Sequence, residues 1–122
     1  MNIIIDTHIF IWLLKDPERL GAEHTQVLKS PHDFFLSSIS IAEIMIKSSI
    51  GKLNLGYEPL DMALKSGLKI LDFKGEDASY LKKLPLHHKD PFDRMLIAQS
   101  LCQEFPIMTR DKKFKHYECT LV

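Results

Sequence analysis

The sequence predicts an α/β fold, a three-layer α/β/α sandwich in which helices cover both faces of a mainly parallel sheet. Short β-branched or apolar runs alternate with helix-like segments along all 122 residues, which is typical of parallel sheets. No repeat, low-complexity tract or Gly/Ser linker divides the chain, so we expect a single domain over residues 1–122. An apolar content of 45% is enough to build a core in a domain of this size.

Two strands and three helices are predicted in the first half of the chain. The strands are Asn2–Ile5 and Phe34–Leu36, and the helices are Thr7–Leu14, Pro17–Leu28 and Ile39–Ile50. The first strand should be buried, because it is almost entirely β-branched. Proline disfavours a helical residue before it but is accepted in a first helical turn, so Pro17 should separate the first two helices. Gly51 should end the third.

Three helices and up to three strands are predicted in the second half. The helices are Pro59–Lys65, Glu76–Leu84 and Pro91–Gln103, the strands are Lys69–Phe73 and Ile107–Thr109, and Cys119–Val122 is a candidate short edge strand. The segment between the last two helices should be a loop in which His87 and His88 form a solvated pair. Asp90 precedes Pro91, which fits an N-cap followed by proline at the first helical position.

Charge and composition narrow the classes of function. Sixteen basic and sixteen acidic residues cancel, so net charge gives no nucleic-acid signature. No run approaches the roughly 18 apolar residues of a membrane span, and the N-terminus lacks a signal-peptide pattern. We therefore expect a cytoplasmic protein without a membrane partner. Cys102 and Cys119 show no metal-ligand spacing and should be free thiols, with Cys102 buried in a helix.

Basic side chains are concentrated in the last third of the sequence, close to Asp93 and Asp111. They are Lys82, Lys83, Lys89, Arg94, Arg110, Lys112, Lys113 and Lys115. Either they form a face that binds an anionic substrate, or they are an ordinary solvated surface. Arg94 and Arg110 are the candidates for auxiliary groups at a substrate site.

Four acidic residues stand at the ends of apolar runs. They are Asp6, Glu43, Asp93 and Asp111. In an open α/β sheet, the crevice at the carboxyl ends of the strands is where ligands bind. Carboxylates gathered there repel one another, and a hard divalent cation relieves that repulsion. The pattern therefore predicts a phosphodiesterase site dependent on Mg²⁺ or Mn²⁺.

Each acid also has a purely structural interpretation. Asp6 could be no more than the N-cap of the following helix, and Asp111 could lie in a plain turn. Ser40 and Glu43 have the spacing of a capping box. However, Glu43 shares its helical face with isoleucines, where an unpaired carboxylate is costly to bury. Asp93 also faces apolar neighbours one turn on, and we favour a functional role for it.

The same stretches resemble PIN-domain ribonucleases, specifically the VapC-type toxins of bacterial and archaeal toxin–antitoxin pairs. The resemblance rests on Ile-Ile-Asp-Thr-His at residues 4–8, Ser-Ile-Ala-Glu-Ile at 40–44, His-Lys-Asp-Pro-Phe-Asp-Arg-Met-Leu-Ile-Ala-Gln at 88–99 and Met-Thr-Arg-Asp at 108–111. The third stretch is the most specific. The family's metal-binding acids match Asp6, Glu43 and Asp93, with Asp111 as a more variable fourth.

Further residues of these stretches have expected roles. Thr109 matches a hydroxyl position that often lines the family's site, and the Thr7 hydroxyl could steady a metal-bound carboxylate or water. Trp12 and His88 also fit the VapC subgroup, without an assigned role. The resemblance implies hydrolysis of RNA by a water that Mg²⁺ or Mn²⁺ activates, a cognate antitoxin and a homodimer. The highly apolar helices Thr7–Leu14 and Ile39–Ile50 should lie near the antitoxin groove.

Other functions share parts of this pattern. An RNA-processing nuclease of the PIN type would use the same acids without an antitoxin, and a PIN-like scaffold could have lost catalysis. A phosphoacceptor module requires an acidic pair after the first strand, and a haloacid-dehalogenase-type phosphatase requires Asp-x-Asp. This chain has Asp6-Thr7-His8 at that place. A short upstream gene encoding a DNA-binding N-terminus would favour the toxin.

Overall fold

Four parallel strands form the centre of the structure, a computed structural model that describes residues 1–122. They are β1 (Asn2–Ile5), β2 (Asp33–Ser37), β3 (Lys69–Leu71) and β4 (Ile107–Met108), and their order in the sheet is β3-β2-β1-β4. The register pairs Ile4 with Phe35 on one side and with Ile107 on the other. β1 and β4 are therefore neighbours although most of the chain lies between them.

Helices cover both faces of this sheet. They are α1 (Thr7–Lys15), α2 (Gly21–Leu28), α3 (Ser38–Ser49), α4 (Pro59–Lys65), α5 (Gly75–Tyr80) and α6 (Pro91–Gln103), with 3₁₀ turns at Pro17–Leu20, Leu81–Lys83 and Lys112–His116. Alternate side chains of a strand point to opposite faces. Accordingly, Ile3 and Ile5 pack with Phe10 in one core, and Ile4 packs with Leu96 in the other. The predicted three-layer α/β/α fold is confirmed.

The topology determines where a ligand can bind. From β1 the chain moves to β2 and β3 on one side, and β4 lies on the other side of β1. The crevice at the carboxyl ends of β1 and β4 is thus a topological switch point, the usual binding place of open α/β sheets. Asp6 directly follows β1, and Thr109 directly follows β4.

Several element boundaries differ from the sequence prediction. The helix expected over Pro17–Leu28 is interrupted at Gly21, whose φ of +81° turns the chain between the 3₁₀ turn and α2. The strand expected over Lys69–Phe73 already ends at Leu71. Likewise, the helix expected over Glu76–Leu84 is α5 followed by a 3₁₀ turn.

The last part of the chain also differs. The candidate strand Cys119–Val122 is reduced to a single bridge between Ile107 and Leu121, because the two-residue β4 offers it a very short edge. Both cysteines are free, as expected, but Cys102 is only partly buried, at the α6 surface beside α5. No helix has the length and apolar character required to cross a bilayer.

The two highly apolar helices differ in how far they are covered. Trp12 and Leu13 of α1 are partly buried against the first core. By contrast, Met45 and Ile46 of α3 and its C-cap residue Ile50 are about half exposed. The isoleucines that were expected to enclose Glu43 on a buried face therefore enclose it only at its N-terminal side.

Candidate active site

Asp6 is a helix cap and also one of four neighbouring acids, with Glu43, Asp93 and Asp111, that form a carboxylate cluster. Its Oδ1 accepts a hydrogen bond from the Ile9 amide at 2.8 Å, which caps α1. Its Oδ2 accepts a hydrogen bond from the Thr109 hydroxyl, which comes from the neighbouring strand end. Burial raises the pKa of Asp6 despite these two hydrogen bonds, because only 3% of the residue is exposed. The cap and the predicted site position are therefore compatible.

Glu43 does not form the capping box that its spacing with Ser40 suggested. The N-cap of α3 is Ser37, whose hydroxyl accepts a hydrogen bond from the Ile39 amide at 3.1 Å. Glu43 is one turn further along the helix. Its Oε1 accepts a hydrogen bond from the Thr7 hydroxyl at 2.9 Å, and its Oε2 lies 2.6 Å from the Lys47 ammonium. This buried carboxylate thus has a partner for each oxygen.

Asp90 and Asp93 have the different positions that the sequence predicted. Oδ1 of Asp90 accepts hydrogen bonds from the amides of Phe92 at 2.9 Å and Asp93 at 3.2 Å, so Asp90 is the N-cap of α6. Asp93 lies in the first turn and faces the cluster, with 16% of its side chain exposed. Burial, followed by the charges of Asp90, Glu43, Asp6 and Asp111, raises the pKa of Asp93 to about 8.

Asp111 lies at the edge of the same cluster and is more than a turn residue. Its Oδ1 accepts a hydrogen bond from the Lys113 amide at 2.9 Å and caps the 3₁₀ turn there. Its own amide donates to the Thr109 hydroxyl at 3.0 Å. The second carboxylate oxygen, Oδ2, lies 3.1 Å from Nε2 of His88. Thr109 therefore joins Asp6 to Asp111 along the ends of β1 and β4.

His88 is the site residue whose position the sequence prediction missed. It was expected in a solvated pair, but it is only 6% exposed, whereas His87 is exposed. Its Nε2 lies 2.9 Å from Oδ2 of Asp93 as well as near Asp111. The burial comes from Phe114 and Tyr117, which are distant in sequence. The one available signal was its place in the matched stretch at residues 88–99.

Arg94 and Arg110 hydrogen-bond to backbone carbonyl oxygens and not to the carboxylates. The Arg94 guanidinium donates to the carbonyl oxygens of Pro85 at 3.0 Å and His88 at 3.3 Å, and so holds the loop before α6. The Arg110 guanidinium donates to the Leu20 carbonyl at 2.9 Å, beside the bend at Gly21. Neither forms an ion pair with a carboxylate. In this structure both side chains therefore fix backbone segments, and their auxiliary role at a substrate site stays a prediction.

The donor set fits a hard divalent cation. It consists mainly of carboxylate oxygens, which Mg²⁺ and Mn²⁺ prefer. One ligand atom from each of His88, Asp93 and Asp111 lies within 4.8 Å of the others. Burial raises the pKa of Asp93, and the charges of the neighbouring carboxylates add to this, so a bound cation would favour its ionised form. Beside Glu43, a cavity of about 270 Å³ is lined by basic and apolar side chains, including His8, Lys47 and Lys52.

Residues 3–118 match the family described as PIN domain. The chain belongs to the PIN domain family. This match covers nearly the whole sequence and all the residues of the cluster, and it confirms the resemblance seen in the sequence. A search of curated proteins finds no match.

Solved structures share this PIN fold over the full length of the chain. A chain of VapBC2 from Rickettsia felis, bound to a promoter DNA fragment, is similar with a TM-score of 0.77 and 21% identity, covering 100% of this chain and 98% of that one. A chain of VapBC-1 from nontypeable Haemophilus influenzae is similar with a TM-score of 0.71 and 20% identity, covering 100% of this chain and 97% of that one. The sarcin–ricin loop cleaving toxin VapC20 from Mycobacterium tuberculosis is similar with a TM-score of 0.70 and 12% identity, covering 97% of this chain and 96% of that one. At these identities the likeness establishes the fold.

Proposed function

We propose that this PIN-domain protein is an endoribonuclease dependent on Mg²⁺ or Mn²⁺, and that it acts as the toxin of a type II toxin–antitoxin pair. The observation that carries the proposal is the environment of Asp93. Burial and four neighbouring carboxylates raise its pKa to about 8, so its ionised form requires additional positive charge. A divalent cation held by Asp6, Glu43, Asp93 and Asp111 would supply that charge.

The protein groups have separate tasks in this mechanism. When bound, the cation supplies Lewis acidity toward water and toward the phosphodiester. Thr109 fixes the orientation of Asp6, and Thr7 and Lys47 fix Glu43. Both threonine hydroxyls are used in bonds to carboxylates. The side chains that contact the four carboxylates include no serine or cysteine, so hydrolysis by water is the reaction that these residues support.

The toxin is favoured over a PIN-type RNA-processing nuclease by the comparisons. The two would share the carboxylates, so the cluster alone does not separate them. The full-length likeness to chains of two VapBC structures and to VapC20, a toxin that cleaves the sarcin–ricin loop, supports the toxin. Because the proposed substrate is cellular RNA, we place the activity in the cytoplasm. A phosphoacceptor role is disfavoured, since such modules require an acidic pair after the first strand and Asp6 is followed by Thr7 and His8.

Asp93→Asn tests the nuclease. Asparagine keeps the shape of the side chain but loses the charge that holds the cation, so we expect cleavage of single-stranded RNA to fall by orders of magnitude. Cleavage is measured with Mn²⁺ and with excess chelator, which should abolish the wild-type activity. Circular dichroism verifies folding. A folded variant that cleaves at the wild-type rate would rule out the assignment.

The partner part of the proposal rests on apolar surface near α3. Large apolar side chains are exposed on two adjacent helices: Met45, Ile46, Ile50, Leu60 and Leu64. Beside them lies a cavity of about 580 Å³ that Met45 and Tyr57 help to line, and the Tyr57 hydroxyl has no hydrogen-bond partner. Monomers seldom leave large apolar patches open. We assign this surface to a homodimer contact and to an antitoxin segment.

Inhibition follows if a basic side chain of the antitoxin reaches the carboxylates. An arginine fork pairs well with carboxylates and would take the place of the cation. Co-expression with the adjacent small gene should yield a complex that purifies together and lacks RNase activity. Sedimentation of the toxin alone should show a dimer at micromolar concentration. Separate purification would leave a nuclease without an antitoxin, and a monomer at every concentration would refute the dimer.

A further inference from the structure

We propose that His88 is a positioning residue that holds Asp93 and Asp111 through its Nε2–H and does not itself bind the cation. This inference rests on the proposed function, because it concerns the same carboxylates. The imidazole is almost fully buried between them, with Nε2 at 2.9 Å from Asp93 Oδ2 and 3.1 Å from Asp111 Oδ2. By proximity alone, these three residues would be taken for a cation site with one nitrogen and two oxygen ligands.

The other ring nitrogen excludes that interpretation. The backbone amide of Asp90 points at Nδ1 of His88 at 3.3 Å. An amide N–H can only donate, so Nδ1 must carry a free lone pair. A neutral imidazole with an unprotonated Nδ1 has its proton on Nε2. An Nε2–H group cannot ligate a metal, but it can donate to two carboxylate oxygens.

The surroundings of His88 hold its ring in this orientation. The His88 amide donates to the Tyr117 hydroxyl at 2.8 Å, and the His88 carbonyl accepts from Arg94 at 3.3 Å. Phe114 packs against the ring edge-on, with centroids 5.9 Å apart. A doubly protonated ring would place two N–H groups against each other at Asp90. Backbone and ring are thus fixed together with Nε2 toward the cluster.

The same contacts connect His88 to the start of α6. Asp90 directs its amide to the ring, while its carboxylate caps the helix at the Asp93 amide. Asp111, in contrast, belongs to the segment after β4 and is partly exposed. Without the Nε2–H donor, Asp111 loses the group that joins it to Asp93, and we expect it to move outward. His88 therefore keeps two proposed ligands of the cation next to each other.

The tautomer can be measured directly on the full chain. Long-range ¹H–¹⁵N correlation spectra of uniformly labelled protein should show His88 protonated at Nε2 in the metal-free form and, unchanged, with saturating Mg²⁺, which is diamagnetic. A proton on Nδ1 in the metal-free protein, or loss of the Nε2 proton on adding Mg²⁺, would overturn the proposal. This readout needs no catalysis, so it stands even if the protein cleaves no RNA.

The affinity of His88 variants for Mn²⁺, measured by calorimetry, is a second test of the positioning role. Replacement of a residue that orients a metal ligand typically costs about 10- to 100-fold in affinity. We expect a loss in that range for His88→Ala, and recovery of most of it in His88→Gln, whose amide places an N–H donor near the position of Nε2. Equal losses in both variants, or no loss in His88→Ala, would contradict the positioning role. Should His88→Ala fail to fold, His88→Gln and the tautomer still decide.

Discussion

Two halves of the carboxylate cluster, one on α3 and one on α6, balance their charge in different ways. On α3, Glu43 has a hydroxyl on one oxygen and the Lys47 ammonium 2.6 Å from the other. Hydrogen bonding to Glu43 raises the pKa of Lys47, and the charges of Asp90 and Asp93 add to this. On α6, Asp93 has only the imidazole of His88 as a side-chain partner and a pKa raised to about 8.

This difference indicates where external charge is needed. In the α3 half, the Lys47 ammonium already balances the charge of Glu43. In the α6 half, Asp93 keeps its proton near neutral pH unless a divalent cation binds. A proton and a divalent cation thus compete for the same carboxylate. We infer that cation binding is governed mainly by the Asp93 half, with Glu43 acting as a fixed charge whose geometry the protein has already set.

The largest expected effect is on the pH dependence of metal-free stability. The folded protein holds the Asp93 proton more tightly than the unfolded chain does, because its pKa rises from the ordinary 3.8 to about 8. Stability from this group is therefore fully present below pH 4 and is lost as the pH rises toward about 8. The loss should be on the order of a few kcal/mol. Asp93→Asn should reduce this dependence to the part contributed by Asp6, whose pKa burial also raises.

Urea unfolding in chelator between pH 5 and pH 9 measures the effect. The matched control is Asp61→Asn, which removes an exposed carboxylate in the first turn of α4 and should keep the wild-type slope. If Asp93→Asn and wild type lose stability in parallel above pH 6, the charge imbalance does not reside at Asp93. Added Mg²⁺ should restore wild-type stability at pH 9 but should do little for Asp93→Asn.

The sequence was informative wherever the determining signal is local. A β-branched run followed by an acid located β1 and Asp6, and Asp-Pro located the cap at Asp90. The different positions of Asp90 and Asp93 also followed from local helix geometry, since a cap and a first-turn residue face different directions. Ligands of parallel sheets bind at the carboxyl ends of the strands, and this rule predicted that Asp6 and Asp111 lie near each other although about 100 residues separate them in the sequence.

The remaining features depend on contacts that local patterns do not specify. His88 is buried by Tyr117 and Phe114, and no local signal distinguishes it from the exposed His87. The directions of Arg94 and Arg110 are set by carbonyl oxygens left free at loops and helix ends. The Lys47–Glu43 pair has the i,i+4 spacing of a helical ion pair, but its place beside the cluster requires the tertiary structure.

An intermediate effect is expected when the Lys47 ammonium beside Glu43 is removed. Lys47→Met keeps the length of the side chain and its apolar stem but deletes the ammonium. One oxygen of Glu43 is then free and the local charge becomes more negative, so Mn²⁺ affinity should rise several-fold. Metal-free stability should fall by about 1–3 kcal/mol, since the buried Glu43 carboxylate is left with one oxygen unpaired.

Lys52→Met is the matched control for this variant. Lys52 lines the same cavity as Lys47 but forms no hydrogen bond to Glu43, so its loss should alter affinity and stability little. Calorimetry with Mn²⁺ and thermal unfolding in chelator compare the two variants. A weaker affinity in Lys47→Met would show that the ammonium is needed to hold Glu43 in position, and that the two halves of the cluster are less independent than inferred here.

The smallest effect is expected for Asp90→Asn, three residues from Asp93 on the same helix. Asparagine caps a helix about as well as aspartate, so stability should change by a few tenths of a kcal/mol. The contact to Nδ1 of His88 comes from the backbone amide of Asp90, which the substitution leaves in place. RNA cleavage and Mn²⁺ affinity should therefore survive, in contrast to Asp93→Asn. A loss of Mn²⁺ binding equal to that of Asp93→Asn would mean that Asp90 holds the cation and that α6 contributes two carboxylates rather than one.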